Sequence, residues 1–110
     1  MKNRNKYGAR KTMVGDLKFD SKREANRYME LQLLERGGVI SELQRQVRVD
    51  LIGQNGPLLT RTGRKMRMTL DFGYTENGED ILEDCKGVPT RDYEVRVAVV
   101  RAMGLIVRES

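Results

Sequence analysis

The residues best suited to chemistry lie in ILEDCKG, residues 81–87, where Lys86 follows Asp84 by two positions. In a strand, successive side chains alternate between faces. Leu82, Asp84 and Lys86 then share one face, and Ile81, Glu83 and Cys85 the other. Acid and lysine project together, roughly 7 Å apart along the strand. A second run, KMRMTLDFGY, alternates in the same way. It puts Met66, Met68, Leu70, Phe72 and Tyr74 on one face and Arg67, Thr69 and Asp71 on the other. Between the runs stands Asn77-Gly78, a strong two-residue hairpin signal. The hairpin makes the runs antiparallel neighbours and can bring Asp71 beside Asp84.

Two carboxylates converging with a lysine are a costly arrangement for structure alone, because like charges in one site repel and raise a pKa. A divalent cation relieves the repulsion. Mg²⁺ prefers oxygen ligands, keeps several waters and needs only one or two carboxylates. Lys86 would then steady the nucleophile or the charge growing on a phosphate in the transition state. This is the chemistry of phosphodiester hydrolysis. Glu83 competes with Asp84 as the ligand, and alternation with Lys86 favours Asp84. An edge-strand surface pair of Asp84 with Lys86, worth little, is the ordinary alternative.

Composition narrows the field. Histidine is absent. That removes Ser-His-Asp and Cys-His catalysis and histidine-bearing zinc fingers. The single cysteine cannot form an internal disulfide, and Cys85 reads as a small buried apolar residue. No apolar run approaches a membrane span, so the expected setting is cytoplasmic. The chain has 110 residues, enough for one domain, and is 34% charged. A modest core and an oligomer follow as expectations. The net charge of +5 resides in the N-terminal arm, residues 1–13, where Lys2, Arg4, Lys6, Arg10 and Lys11 stand without an acid. The remainder balances at 16 basic and 16 acidic residues. Arg61, Arg64, Lys65 and Arg67 form a second basic cluster. Both clusters could meet phosphates, although short basic tails are also common solubilising ends.

The elements that must position these residues follow from pattern. After a flexible basic arm (1–13), one domain spans 14–110. Leu17 and Phe19 form a short extended lead-in. Asp20 or Ser21 caps a helix, and Ser21 with Glu24 has capping-box spacing. Ala25, Tyr28, Met29, Leu31 and Leu33 supply its apolar face, and Gly37-Gly38 ends it after Arg36. Leu43, Val47, Val49 and Leu51 mark a strand, GQNGP a turn or loop, and LLTRTGRK a basic hairpin tip or loop. The two alternating strands come next. Pro89-Thr90 leads into a helix from about Arg91 to Met103, with Tyr93, Val97, Val100 and Val99 as inward candidates. LIVRE closes as a strand. The expected class is α/β with order αβββαβ, a mixed central sheet flanked by helices.

Asp71 followed by Asp84-Cys85-Lys86 resembles the bipartite motif of the PD-(D/E)XK nuclease superfamily, and the element order resembles its restriction-endonuclease-like core. FDSKREANRYMEL, LDFGY and LEDCKG closely resemble segments of a group of small phage-encoded proteins placed in that superfamily. The resemblance covers residues 7–108. It implies a Mg²⁺- or Mn²⁺-dependent DNA endonuclease with no organic cofactor, and a domain this small is expected to act as a homodimer, giving two sites for two strands. Branched DNA such as a junction is a substrate implied by analogy with compact resolvases. Asp71, Asp84, the backbone carbonyl of Cys85 and Glu24 would hold the metal. Lys86 would be the catalytic lysine, and Gln44 matches a glutamine found beside the active site in some members. Leu70 stands where the name-giving pattern has proline. Glu24 has a competing use as a capping-box residue, Asp71 as an exposed strand acid, and Gln44 as a polar strand residue. Tyr7 or Tyr93 could stack on a base, but no ordered aromatic platform is visible. Two other functions are expected to compete: a non-catalytic nucleic-acid-binding or protein-interaction module on the same fold, and a small basic RNA-associated protein.

Overall fold

A computed structural model describes residues 12–15, 17–85 and 89–110. Lys86 and the arm residues Lys2, Arg4, Lys6, Tyr7, Arg10 and Lys11 lie outside them. Strands β1 (Thr12–Val14) and β2 (Leu17–Phe19) form an antiparallel pair, so Thr12 and Met13, expected in the arm, belong to a strand. Helix α1 (Lys22–Arg36) begins where sequence places it: Ser21 is extended, and its hydroxyl accepts from the Glu24 amide. Gly38, at φ +78°, takes the chain out of the helix.

Next come β3 (Ile40–Asp50), the small hairpin of β4 (Ile52–Gly53) and β5 (Gly56–Pro57), β6 (Arg67–Glu76), β7 (Glu79–Asp84), α2 (Arg91–Ala102) and β8 (Ile106–Glu109). The central sheet has order β3-β6-β7-β8. The first three strands pair antiparallel, and β8 runs parallel to β7 through the α2 crossover. This is a mixed α/β architecture with two helices on a mixed sheet. Asn77 and Gly78 both take positive φ, as the tight β6–β7 turn requires. Thr90 caps α2 by accepting from the Tyr93 amide. Among the described residues, no helix is long and apolar enough to cross a membrane.

Two apolar clusters cover opposite faces of the sheet. Ala25 and Leu31 of α1 pack with Phe19, Ile40, Phe72, Tyr74 and Ile81. Tyr93, Val97 and Val100 of α2 pack with Leu51, Met68, Leu70 and Val107. Two expectations need correction. Met29 and Leu33 are exposed, while Tyr28 and Leu34 pack against the core. With Ala25 and Leu31 central to the buried face, the 3.6-residue period carries Met29 and Leu33 round toward solvent. The alternating run of β6 also does not keep to one face. Met68 and Leu70 serve the α2 cluster, and Phe72 and Tyr74 serve the α1 cluster. The chain changes face at Asp71.

Strand β3 changes face beside it. Val47 pairs with Leu70 and Arg45 with Phe72. Val47 borders Gly73 on the Leu82 side, where a Cβ on the glycine would come within 2.9 Å of Val47 Cγ2. Arg45, by contrast, lies over the Phe19 ring on the α1 side. Gln46, between them, has φ +54°. Gln46, left-handed and opposite Asp71 in a register that runs unbroken from Arg45↔Phe72 to Val47↔Leu70, marks the point where both strands change face.

Candidate functional site

The register of β6 with β7 runs from the turn to Phe72↔Glu83, while β7 continues beside β8 to Asp84↔Glu109. Past Phe72 the side chains of the two acids take over the main-chain bonding. The Asp71 amide donates to Asp84 Oδ1 at 3.1 Å. The Cys85 amide donates to Asp71 Oδ2 at 2.8 Å. The two carboxylates are thus set at the fork where β6 and β7 part, each anchored to the backbone of the other strand.

Helix α1 delivers a third carboxylate to this fork. Glu24 is only 5% exposed, and its carboxyl interacts with the charges of Asp71 and Asp84. Gln46 Nε2 donates to Glu24 Oε2 at 3.4 Å, and Arg45 Nη2 stands 3.7 Å from the same oxygen. Burial pushes the Glu24 carboxyl above its usual range; Arg45 opposes the rise, while Asp20 and Asp84 add to it. Burial likewise raises Asp71, against the bond from the Cys85 amide, and the neighbouring Glu24 adds to the rise. Three acids on three elements therefore meet, and in two of them the charged form is disfavoured.

Glu83 has a different environment from its neighbour Asp84. It is fully buried on the α1 side. Arg27 grips it with Nε at 2.6 Å and Nη2 at 3.0 Å, Tyr74 Oη donates at 2.5 Å, and Ser110 Oγ donates at 2.8 Å. Burial alone would raise its pKa, but these donors outweigh burial and hold it below the usual range. Asp84, not Glu83, is the acid that joins Asp71.

Gln44 does not reach the carboxylates. It pairs with Gly73 and lines a shallow groove with Glu42, Val47, Asp80 and Leu82. The left-handed turn at Gln46 brings that glutamine to Glu24 instead. Sequence reasoning passed over Gln46 and Arg45, since no glycine or asparagine marks the parity change. The Cys85 side chain contacts Ser110 Oγ and packs against the α1 cluster, as expected of a partly buried thiol. Burial raises its pKa to about 11. Tyr93 lies on the buried face of α2, which leaves it no free face for a base. Arg61, Arg64 and Lys65 are exposed on the turn closed by the Leu59–Lys65 bridge. Arg67, also exposed, is paired with Asp50 at 3.0 Å. Among the described residues, no three His, Cys, Asp or Glu side chains form a ready-made metal-ligand group.

A family model described as "Protein of unknown function (DUF1064)" matches residues 4–104, and the chain belongs to that family. No curated protein and no solved structure matches it.

Proposed function

We propose that this family member is a metal-dependent DNA endonuclease on a restriction-endonuclease-like core. The observation that carries the reading is the meeting of Glu24, Asp71 and Asp84 at the β6–β7 fork, with burial and mutual repulsion raising the first two. Set β1–β2 and β4–β5 aside and the remaining order, α1-β3-β6-β7-α2-β8, is the αβββαβ order of that core.

The donor set fits a hard divalent ion. All the donors are oxygens, and the cost of crowding buried carboxylates is what a cation offsets. Mg²⁺ commonly takes one or two carboxylates and completes its shell with water, so it needs no protein cage of three ligands. Asp71, Asp84 and Glu24, with the Cys85 carbonyl, would hold Mg²⁺ or Mn²⁺, which when bound supplies Lewis-acid polarisation of a phosphoryl oxygen. The protein's own groups do the rest. The amides of Asp71 and Cys85 orient the two aspartates. Gln46 and Arg45 orient Glu24. Lys86, two positions beyond Asp84, is assigned to charge stabilisation at the phosphate. Arg61, Arg64, Lys65 and the basic arm provide sequence-independent phosphate contacts. A homodimer would present two such sites to two strands.

Purified protein incubated with labelled duplex, single-stranded, flap and junction DNA in Mg²⁺ or Mn²⁺ tests the reading. Cleavage is expected in the wild type and absent in Asp84→Ala and Lys86→Ala. Cleavage that survives both substitutions places the chemistry elsewhere. Binding without cleavage in the wild type supports a non-catalytic nucleic-acid module.

A further inference from the structure

Beside the three carboxylates lies a second triad, offset by a step along each of the same elements. Arg27 is one turn past Glu24 on α1, Glu83 adjoins Asp84 on β7, and Tyr74 lies three residues past Asp71 on β6. Arg27 holds Glu83 by a two-pronged bond, and Tyr74 Oη donates to Glu83 Oε1. Arg108 of β8, the register partner of Glu83, donates to Tyr74 Oη at 2.9 Å and to Glu76 at 3.0 Å. Resting on the nuclease reading, we propose that Arg27, Glu83 and Tyr74 are positioning residues that set the distance of α1 from β6 and β7, and so bring Glu24 to Asp71 and Asp84.

A planar guanidinium bonded through two nitrogens to one carboxylate fixes both distance and orientation. Glu83 is wholly buried and receives four donors, so it has little freedom to adopt another arrangement. An apolar contact at this place would hold α1 against the sheet without fixing its position along the strands. The arrangement acts through the carboxylates and does not touch substrate.

Arg27→Lys keeps the charge and loses the fork, and Tyr74→Phe removes a single hydroxyl. Amide hydrogen exchange of the metal-free protein reads the result at two reporters, the Asp71 and Cys85 amides that bind the aspartates. Both variants are expected to lose protection there by at least about tenfold, with the α2 amides of Val97 and Val100 unchanged. Mn²⁺ affinity, measured by calorimetry, is expected to fall about 10- to 100-fold. A uniform loss over all amides, or full protection in folded Tyr74→Phe, overturns the assignment. Wild-type protein that cuts no DNA while Arg27→Lys selectively frees the two reporters would end the nuclease reading and leave the positioning role standing.

Discussion

Asp71 and Asp84 are bound to one another through the backbone. The Asp71 amide reaches Asp84 Oδ1, and the Cys85 amide returns a bond to Asp71 Oδ2. Each aspartate substitutes for a carbonyl that a continuing ladder would have offered. The fork therefore leaves few main-chain groups unpaired, and it brings two like charges together in return. A site built this way should respond to protons, to metal and to changes in the supports around it.

Proton dependence follows from the directions of the shifts. Glu24 and Asp71 have folded-state pKa values above their ordinary 4.5 and 3.8. Their contribution is fully present below those ordinary values and is lost as pH rises through the folded ones. Glu83 is depressed, so its contribution is present above 4.5 and lost as pH falls through its folded value. Metal-free protein should be more stable in weak acid than at neutrality and should weaken again in stronger acid. Thermal unfolding between about pH 3 and 8 checks this. Asp71→Asn should flatten the neutral side of the curve, and a flat wild-type curve from neutrality to about pH 5 would contradict the shared burial of the acids.

Metal should reverse the neutral-pH penalty. A ligand at a hundredfold excess over its dissociation constant stabilises the folded state by about 2.7 kcal/mol. For a domain near this size, that corresponds to a rise in melting temperature on the order of 10 °C. Mn²⁺ should produce such a rise in wild-type protein and little in Asp84→Asn. An equal rise in both would place the bound metal away from the fork.

The Arg27–Glu83 pair should be expensive to break from one side. The side chains of Arg27 and Glu83 are 21% and 0% exposed. Arg27→Met leaves a buried carboxylate without its main partner, a loss of about 3–5 kcal/mol. Adding Glu83→Gln should recover part of that loss, because it removes the stranded charge. Urea denaturation of the two single variants and the double variant measures the coupling, and strictly additive losses would mean the two side chains do not act as a pair.

Much of the frame can be read in the sequence because local chemistry marks it. Ser21, Gly38, Asn77-Gly78 and Thr90 each sit where a cap or turn needs that residue type. Alternation also distinguished Asp84 from Glu83. The same alternation misled in β6, where Met68, Leu70, Phe72 and Tyr74 look like one face and serve two. Nothing local warns of the switch, since the left-handed residue opposite is a glutamine. Gln44 is named by the resemblance alone, and nothing local marks Gln46, whose backbone is left-handed, as the glutamine that reaches Glu24. The pairing of Arg27 with Glu83 spans 56 positions and leaves no periodic trace.

Gln46 separates backbone cost from side-chain gain. A non-glycine residue at φ +54° carries a penalty of about 1–2 kcal/mol, and it persists only where the surroundings over-determine it. Here the surroundings are the two paired strands, which must both change face at this point, and Glu24, which accepts the Gln46 amide. Gln46→Ala keeps the strain and loses the bond. Gln46→Gly loses the bond and relieves the strain. The glycine variant should therefore be more stable than the alanine variant by about 1 kcal/mol. Both should lose Mn²⁺ affinity to a similar degree, since each frees Glu24 from the same contact. Denaturation midpoints and calorimetric titrations on the pair separate the two effects. An alanine variant at least as stable as the glycine variant would mean that β3 can regain regular pleating, in which case the face change at Asp71 has some other origin.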